Sequence, residues 1–408
     1  MKFARAIAGL FGALALAASA AVFAQQPIKI GMSMPQTGPL GGGGKAALLA
    51  LNMWVDDVNA KGGLLGRKVQ FISYDDQGNP ALTPGIYTKL LDIDKVDLII
   101  APYATVPTAP LMPLVKQRGL LLMGNFSFQV NHTVKHDMWF NNAPWADATS
   151  WFEGFFLASK SLNGKTVAFL AADQEFAQNL VVGAKEQAKK HGLTTVYEQN
   201  YPSTTVDFSS MMRAIRAAKP DMVFVASYPG DSVAIVRAVN EVGVGPTVKL
   251  FGGGMVGLQF TPIMESLGTQ LNGIVNYTSF APGMDFPGIK DFFERYSKKA
   301  VEAKVDPLGF YLPPFNYAIG QMLEQAITAT KSLDHKKLAE YLRKNEMKTI
   351  VGPITFGPDG ERAKPTVAMI QFRGLVDKNV DQFRQTGKQV ILYPQQFKSG
   401  EVQPFSSK

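Results

Sequence analysis

Val96-Asp97-Leu98-Ile99-Ile100, apolar but for Asp97, and Leu120-Leu121-Leu122-Met123 are two short apolar stretches, and Pro107 to Arg118 between them has helical length and spacing. A strand made from a continuous apolar run has no polar face, so it must be covered on both sides. A helix between two such strands is the connection that a parallel pair requires. The unit reads as strand, helix, strand in a parallel sheet.

The same alternation extends in both directions. Towards the N-terminus, Ile28 to Met34 reads as a strand broken by Pro35 and the Gly38 to Gly44 loop. Ala47, Leu48, Leu51, Trp54, Val55 and Val58 then recur at helical spacing until Lys61-Gly62-Gly63. Val69 to Tyr74 is a strand closed by the turn Asp75 to Pro80, with a helix to about Leu91 behind it. The pattern restarts after Asn141-Asn142-Ala143-Pro144. Strands are expected at Thr166–Ala171, Thr194–Glu198, Met222–Ala226 and Val248–Phe251. Helices are expected near 145–162, over Glu175–His191, after an Asp207 cap, and over Asp231–Val242. Two successive arrays imply an α/β chain of two doubly wound parallel-sheet lobes.

The last third differs. A strand at Ile274–Ser279 precedes helices over 289–303, 315–330 and 335–344. Ile354-Thr355-Phe356 and Val367–Phe372 read as strands, with Gly357-Pro358-Asp359-Gly360 between them as a hairpin loop. The first array is short of covering helices, so the chain is expected to cross back through a multi-strand hinge. That gives a first lobe of residues 27–143 and 277–346 and a second of 144–276 and 347–408.

Composition narrows the function. At roughly 150 residues per domain, 408 residues suit two or three domains. With 46% hydrophobic and 18% charged residues the chain can build cores and is not a disordered one. It has no cysteine, which excludes disulfides, a thiol nucleophile and iron–sulfur ligation together. The net charge of +8 is dispersed, and its densest pairs (Lys189-Lys190, Lys298-Lys299, Lys336-Lys337) fall on polar helix faces. Nucleic acid is therefore not an expected partner.

Residues 1–24 read as an export signal. Lys2 and Arg5 precede the Ala- and Leu-rich run Ala6 to Ala21, and Val22-Phe23-Ala24 offers a cleavage site. The run is short for a membrane span, and no cysteine follows it to carry a lipid. The expected location is periplasmic, with the mature chain outside the membrane.

Enzyme signatures are weak. Gly41-Gly42-Gly43-Gly44-Lys45-Ala46 loosely fits a dinucleotide fingerprint, but Ala46 stands where a phosphate loop needs Ser or Thr. His132 and His136 have no Glu between them as a metalloprotease would need, and no Gly-x-Ser-x-Gly elbow is present. No catalytic residue, metal or cofactor is expected.

The order and spacing of several short motifs carry a resemblance. They are Ile28-Lys29-Ile30-Gly31, Thr37-Gly38-Pro39, Val58 to Gly63, Gly66-Arg67-Lys68, Tyr74-Asp75-Asp76, Asn79-Pro80, Asp207-Phe208-Ser209, Lys219-Pro220-Asp221 and Gly352 to Phe356. Together they resemble the type I periplasmic substrate-binding proteins of ABC importers, in the leucine/isoleucine/valine-binding branch. The resemblance covers nearly all of the chain after the export signal. It implies a protein that captures a small carboxylate between its lobes and hands it to a membrane permease. An exported sensor of the same fold that signals to a receptor is the alternative.

The resemblance also implies a site. The loop Pro102-Tyr103-Ala104-Thr105 puts Thr105 where the family's carboxylate-binding serine lies, with Tyr103 and Ala104 beside it and free amides at the helix start. Phe126, Ser127 and Phe128 form the second first-lobe loop, with the Ser127 hydroxyl as a further carboxylate contact. Phe176 and Tyr228 fall where the family closes aromatic residues over the ligand. Gly254 and Met255 fall where amino-acid binders carry an acid for the ligand's ammonium, and this chain has none there. Near Gly43 an aromatic residue also looks replaced by glycine. Both departures suggest a larger, less polar pocket and a ligand without an ammonium, such as an aromatic or branched oxo- or hydroxy-acid. Asp173 and Asp231 remain as acids that could serve an amino acid instead.

Overall fold

The computed structural model describes residues 26–145, 147–202 and 204–406. The export-signal reading of residues 1–24 lies outside them.

β1 (Ile28–Ser33), β2 (Val69–Tyr74), β3 (Leu98–Tyr103), β4 (Leu122–Asn125) and β5 (Trp139–Asn141) form a parallel sheet in the order β2-β1-β3-β4-β5. β6 (Thr166–Ala172), β7 (Thr194–Tyr201), β8 (Met222–Ser227), β9 (Leu250–Met255) and β10 (Val275–Thr278) make the parallel part of a second sheet. A small antiparallel hairpin, β11 (Met347–Thr349) and β12 (Gly352–Ile354), comes next. β13 (Ala368–Phe372) and β14 (Gln389–Tyr393) then join β10 as an antiparallel edge, giving the order β14-β13-β10-β9-β8-β6-β7. All six residues of β3 and of β8 are buried, as strands covered on both faces must be.

The late helices complete the first lobe. Pro313–Thr330 packs along Gly41–Ala60, and Trp54 Nε1 donates to Glu324 at 3.1 Å. A Cβ on Gly320 would lie 2.1 Å from the Trp54 ring, so glycine lets the two helices meet there. Arg295 holds both oxygens of Asp57 at 2.9 Å, which ties the Ile289–Ala303 helix to the same surface.

Three stretches of the expected layout move. Residues 347–362, expected in the second lobe, lie against the first. β11 packs on the Pro313–Thr330 helix, Gln325 bonds the Lys348 backbone, and Glu361 bonds side chains on β5. Gly357 to Gly360 does turn, and it closes a short antiparallel pairing of Phe356 with Arg362, but it does not pair the two expected strands, because β12 and β13 belong to different sheets. The glycine run at 41–44 opens a helix and needs no phosphate to explain it. A Cβ on Gly44 would sit 1.7 Å from the Pro35 carbonyl oxygen, so close approach of helix to strand end requires glycine.

The chain crosses between sheets near 142–145, 279–288 and 363–367. Two crossings are bonded together, since the Thr366 and Val367 amides both donate to the Pro144 carbonyl at 2.7 and 3.0 Å. Trp145 stacks on Trp151 at 3.9 Å, and Phe126 and Phe128 of the first lobe meet Trp145 edge-on.

Glu361 is buried beside this hinge, accepting from Trp139 Nε1 at 3.1 Å and Asn141 Nδ2 at 2.7 Å. Burial raises its pKa from 4.5 to about 8, against the pull of those two donors. The folded protein thus keeps a proton that the unfolded chain releases. This contribution to stability is complete below about pH 4.5 and is lost as pH rises to about 8. Urea midpoints at pH 5.5 and 8.5 should fall more for the native protein than for Glu361→Gln. Equal falls would mean that Glu361 ionises normally.

Candidate functional site

The carboxyl ends of both parallel sheets face a cleft of about 430 Å³. Crevices at these strand ends are where open α/β sheets bind ligands, because loops and helix starts there leave amides unpaired.

On the first lobe, β3 ends at Tyr103 and the chain turns at Ala104, whose φ of +82° is rare for alanine. Thr105 and Val106 open the next helical stretch, where the first amides have no acceptor within the helix. Thr105 is buried, and its hydroxyl oxygen accepts from the Phe128 amide at 2.9 Å while keeping its own proton to donate. Behind this turn the Tyr103 and Tyr311 hydroxyls meet at 3.2 Å. Phe126 stands edge-on to Tyr311 at 5.1 Å.

On the second lobe, Phe176 lies in the first turn of the Glu175–Lys190 helix and Tyr228 precedes the Pro229–Glu241 helix. Their rings are 5.9 Å apart. The Tyr228 hydroxyl is buried and has no side-chain hydrogen-bond partner among the described residues. Burial raises its pKa, and the facing Phe176 amide pulls the other way. Asp231, also buried, lines the same wall. Burial raises its carboxyl pKa, offset in part by the hydroxyl that Tyr201 donates to Oδ2 at 2.6 Å. None of the described residues lining the cleft is basic.

Tyr103, Ala104, Thr105, Phe126, Phe176 and Tyr228 all line the cleft. Four other expected residues do not. Phe126 has φ +55°, which sends its ring to the cleft and the next two side chains inward. Ser127 Oγ lies 2.7 Å from Thr108 Oγ1, and Phe128 packs on Trp145 and Trp151. Gly254 and Met255 sit inside the second sheet, because β9 runs on to Met255 and Val256 is the residue that reaches the cleft. A Cβ on Gly254 would meet Val225 and the Phe224 ring, and the Met255 amide donates to Asn276 at 2.9 Å.

The missing acid at Gly254 therefore does not enlarge the cleft. Gly43 does not either, since Phe260 occupies the space over it, 2.6 Å from where a Cβ would stand. Asp173 is exposed and outside the lining, which leaves Asp231 as the acid of the cleft. Tyr311 was not foreseen. It lies in an irregular segment, 304–312, with no periodicity to mark it.

His136 Nε2 lies 2.7 Å from the Leu120 carbonyl, so its ring is engaged in the core. Among the described residues no group of three or more metal-ligating side chains occurs, and no helix is long and apolar enough to cross a membrane.

The family described as periplasmic binding protein matches residues 27–378. The chain is 26% identical over 412 residues to the Leu/Ile/Val-binding protein homolog 8 of Brucella suis biovar 1, with 97% of each covered. Two solved structures share the fold. The solute-binding protein of an R. palustris ABC transporter in complex with 4-hydroxybenzoate superposes with a TM-score of 0.75 at 19% identity, covering 93% of this chain and 97% of that one. A leucine-binding protein from Thermotoga maritima gives 0.72 at 20% identity, covering 85% and 96%.

Proposed function

Because the chain belongs to the periplasmic binding protein family, in the branch that serves branched-chain amino acid ABC-type systems, we propose that its cleft captures a small carboxylate and carries it through the periplasm to a membrane permease. Members of the family are solute-binding proteins, not enzymes. The observation that carries the ligand reading is the Thr105 turn. The Thr105 hydroxyl, with a proton still to donate, and the helix-start amides of Thr105 and Val106 line a cleft with no basic side chain among its described lining residues. Such donors hold an anion through charge-assisted hydrogen bonds and need no lysine or arginine.

The rest of the lining sets the ligand's body. Phe126, Tyr311, Phe176 and Tyr228 give apolar walls suited to a planar ring or a branched aliphatic chain. The similarity to proteins described with 4-hydroxybenzoate and with leucine agrees with either.

Binding and closure are one equilibrium. Thr105 and Phe126 stand on one lobe, Phe176 and Tyr228 on the other, so a ligand gains its full contacts only when the lobes approach. Trp145 and Trp151 sit between Phe126 and Phe176 and should report the motion. Titration with a bound carboxylate should reduce the radius of gyration and change tryptophan emission with a common midpoint, and the ligand should be recovered unchanged. Saturation with no compaction would contradict capture by closure.

A further inference from the structure

We infer that Asp231 receives a hydrogen-bond-donating group of the ligand, an ammonium or a hydroxyl carried in addition to the carboxylate; this rests on the carboxylate reading above. Asp231 is 7% exposed and lines the cleft. Its Oδ2 accepts from Tyr201, a wholly buried residue of β7, which fixes the carboxyl group in one orientation. Its Oδ1 is buried and has no hydrogen-bond partner. No lysine, arginine or histidine lines the cleft to supply one.

A buried carboxylate oxygen left without a donor is costly, and native structures rarely tolerate one without a purpose. Helix position does not explain it. An acid in the first turn of Pro229–Glu241 would favour the helix equally well from the surface, where water would satisfy both oxygens. Three residues earlier, the Tyr228 hydroxyl is also buried and faces the Phe176 amide. Asp231 thus offers an acceptor to the cleft from the second lobe, and the first lobe at Thr105 offers a donor. A ligand that satisfies both walls carries an acceptor at one end and a donor at the other. Amino acids, hydroxy-acids and hydroxybenzoates meet that condition. Oxo-acids and plain benzoate do not, so of the ligands expected from Gly254 the hydroxy-acids stay and the oxo-acids drop out.

Matched pairs test this by calorimetry: leucine against 4-methyl-2-oxopentanoate, and 4-hydroxybenzoate against benzoate. The native protein should bind the donor-bearing member of at least one pair about tenfold more tightly or better, the scale of one hydrogen bond to a charged group. Asp231→Asn, which keeps an acceptor for Tyr201, should bring that ratio to within about threefold and leave the other member's affinity nearly unchanged. A ratio that survives the substitution, or a preference for the donor-free member, overturns the inference. Carboxylates that bind in a Thr105-dependent way but ignore Asp231 would sink this inference alone. Carboxylates that bind regardless of Thr105 would sink the reading beneath it. The ligand-free variant gives a further readout, since its melting temperature should equal or exceed the native one. A loss of several degrees would make Asp231 a structural residue and overturn its assignment to the ligand.

Discussion

Thr105→Val is expected to weaken carboxylate binding by about 100-fold while the fold persists. Valine keeps the shape of threonine and removes the only hydroxyl at the β3 turn that faces the cleft with a free proton. A hydrogen bond to a charged group contributes about 1.5–3 kcal/mol, and the upper end applies where aromatic walls exclude water. That is about one to two orders of magnitude in Kd. The substitution also strands the Phe128 amide, which now donates to Thr105, so a stability loss of about 1–2 kcal/mol should accompany it. Thr105→Ser restores the hydroxyl and should recover most of the binding. Calorimetry on the three proteins, with melting curves alongside, separates the two effects. Native affinity in the valine variant would remove Thr105 from the site.

Gly44→Ala is expected to be strongly damaging, and Gly42→Ala two residues earlier should have the opposite sign. A Cβ on Gly44 would lie 1.7 Å from a backbone oxygen of Pro35, which no rotamer change can relieve. The helix start would have to move off the end of β1, costing about 3 kcal/mol or more. A Cβ on Gly42 meets nothing within 4 Å. There alanine brings only better helix propensity, about 0.5–1 kcal/mol. Chemical denaturation of both variants checks the pair. Similar midpoints for the two would mean that the Gly44 backbone does not make this approach.

That contrast shows what could be read before the structure and what could not. β3 and β8 were legible because fully covered strands are near-continuous apolar runs, and loops at strand ends then follow. Thr105, Phe176 and Tyr228 were assigned to the cleft by the resemblance, and the strand ends that they follow agree with it. Ser127 and Phe128 were misplaced because a positive φ at Phe126 reverses which side chains face out, and a phenylalanine gives no warning of it. Gly254 and Met255 were misplaced because Gly252-Gly253-Gly254 looks like loop yet continues β9. The membership of 347–362 in the first lobe depends on tertiary bonds such as Glu361 to Asn141, between residues 220 apart in the chain. The partnerless oxygen of Asp231 depends on Tyr201, 30 residues away on another strand. No local pattern encodes either.

The most direct test of capture in this cleft is a thermal-shift comparison of native protein and Thr105→Val. The panel is leucine, phenylalanine, benzoate, 4-hydroxybenzoate and the matching oxo-acids, each beside its neutral amide. A ligand at 100 times its Kd stabilises the folded state by about 2.7 kcal/mol, which is several degrees for a protein of this size. At least one carboxylate should shift the native protein, its amide should not, and the valine variant should respond weakly or not at all. Shifts of equal size from an acid and its amide, or in both proteins, would contradict a carboxylate held at Thr105.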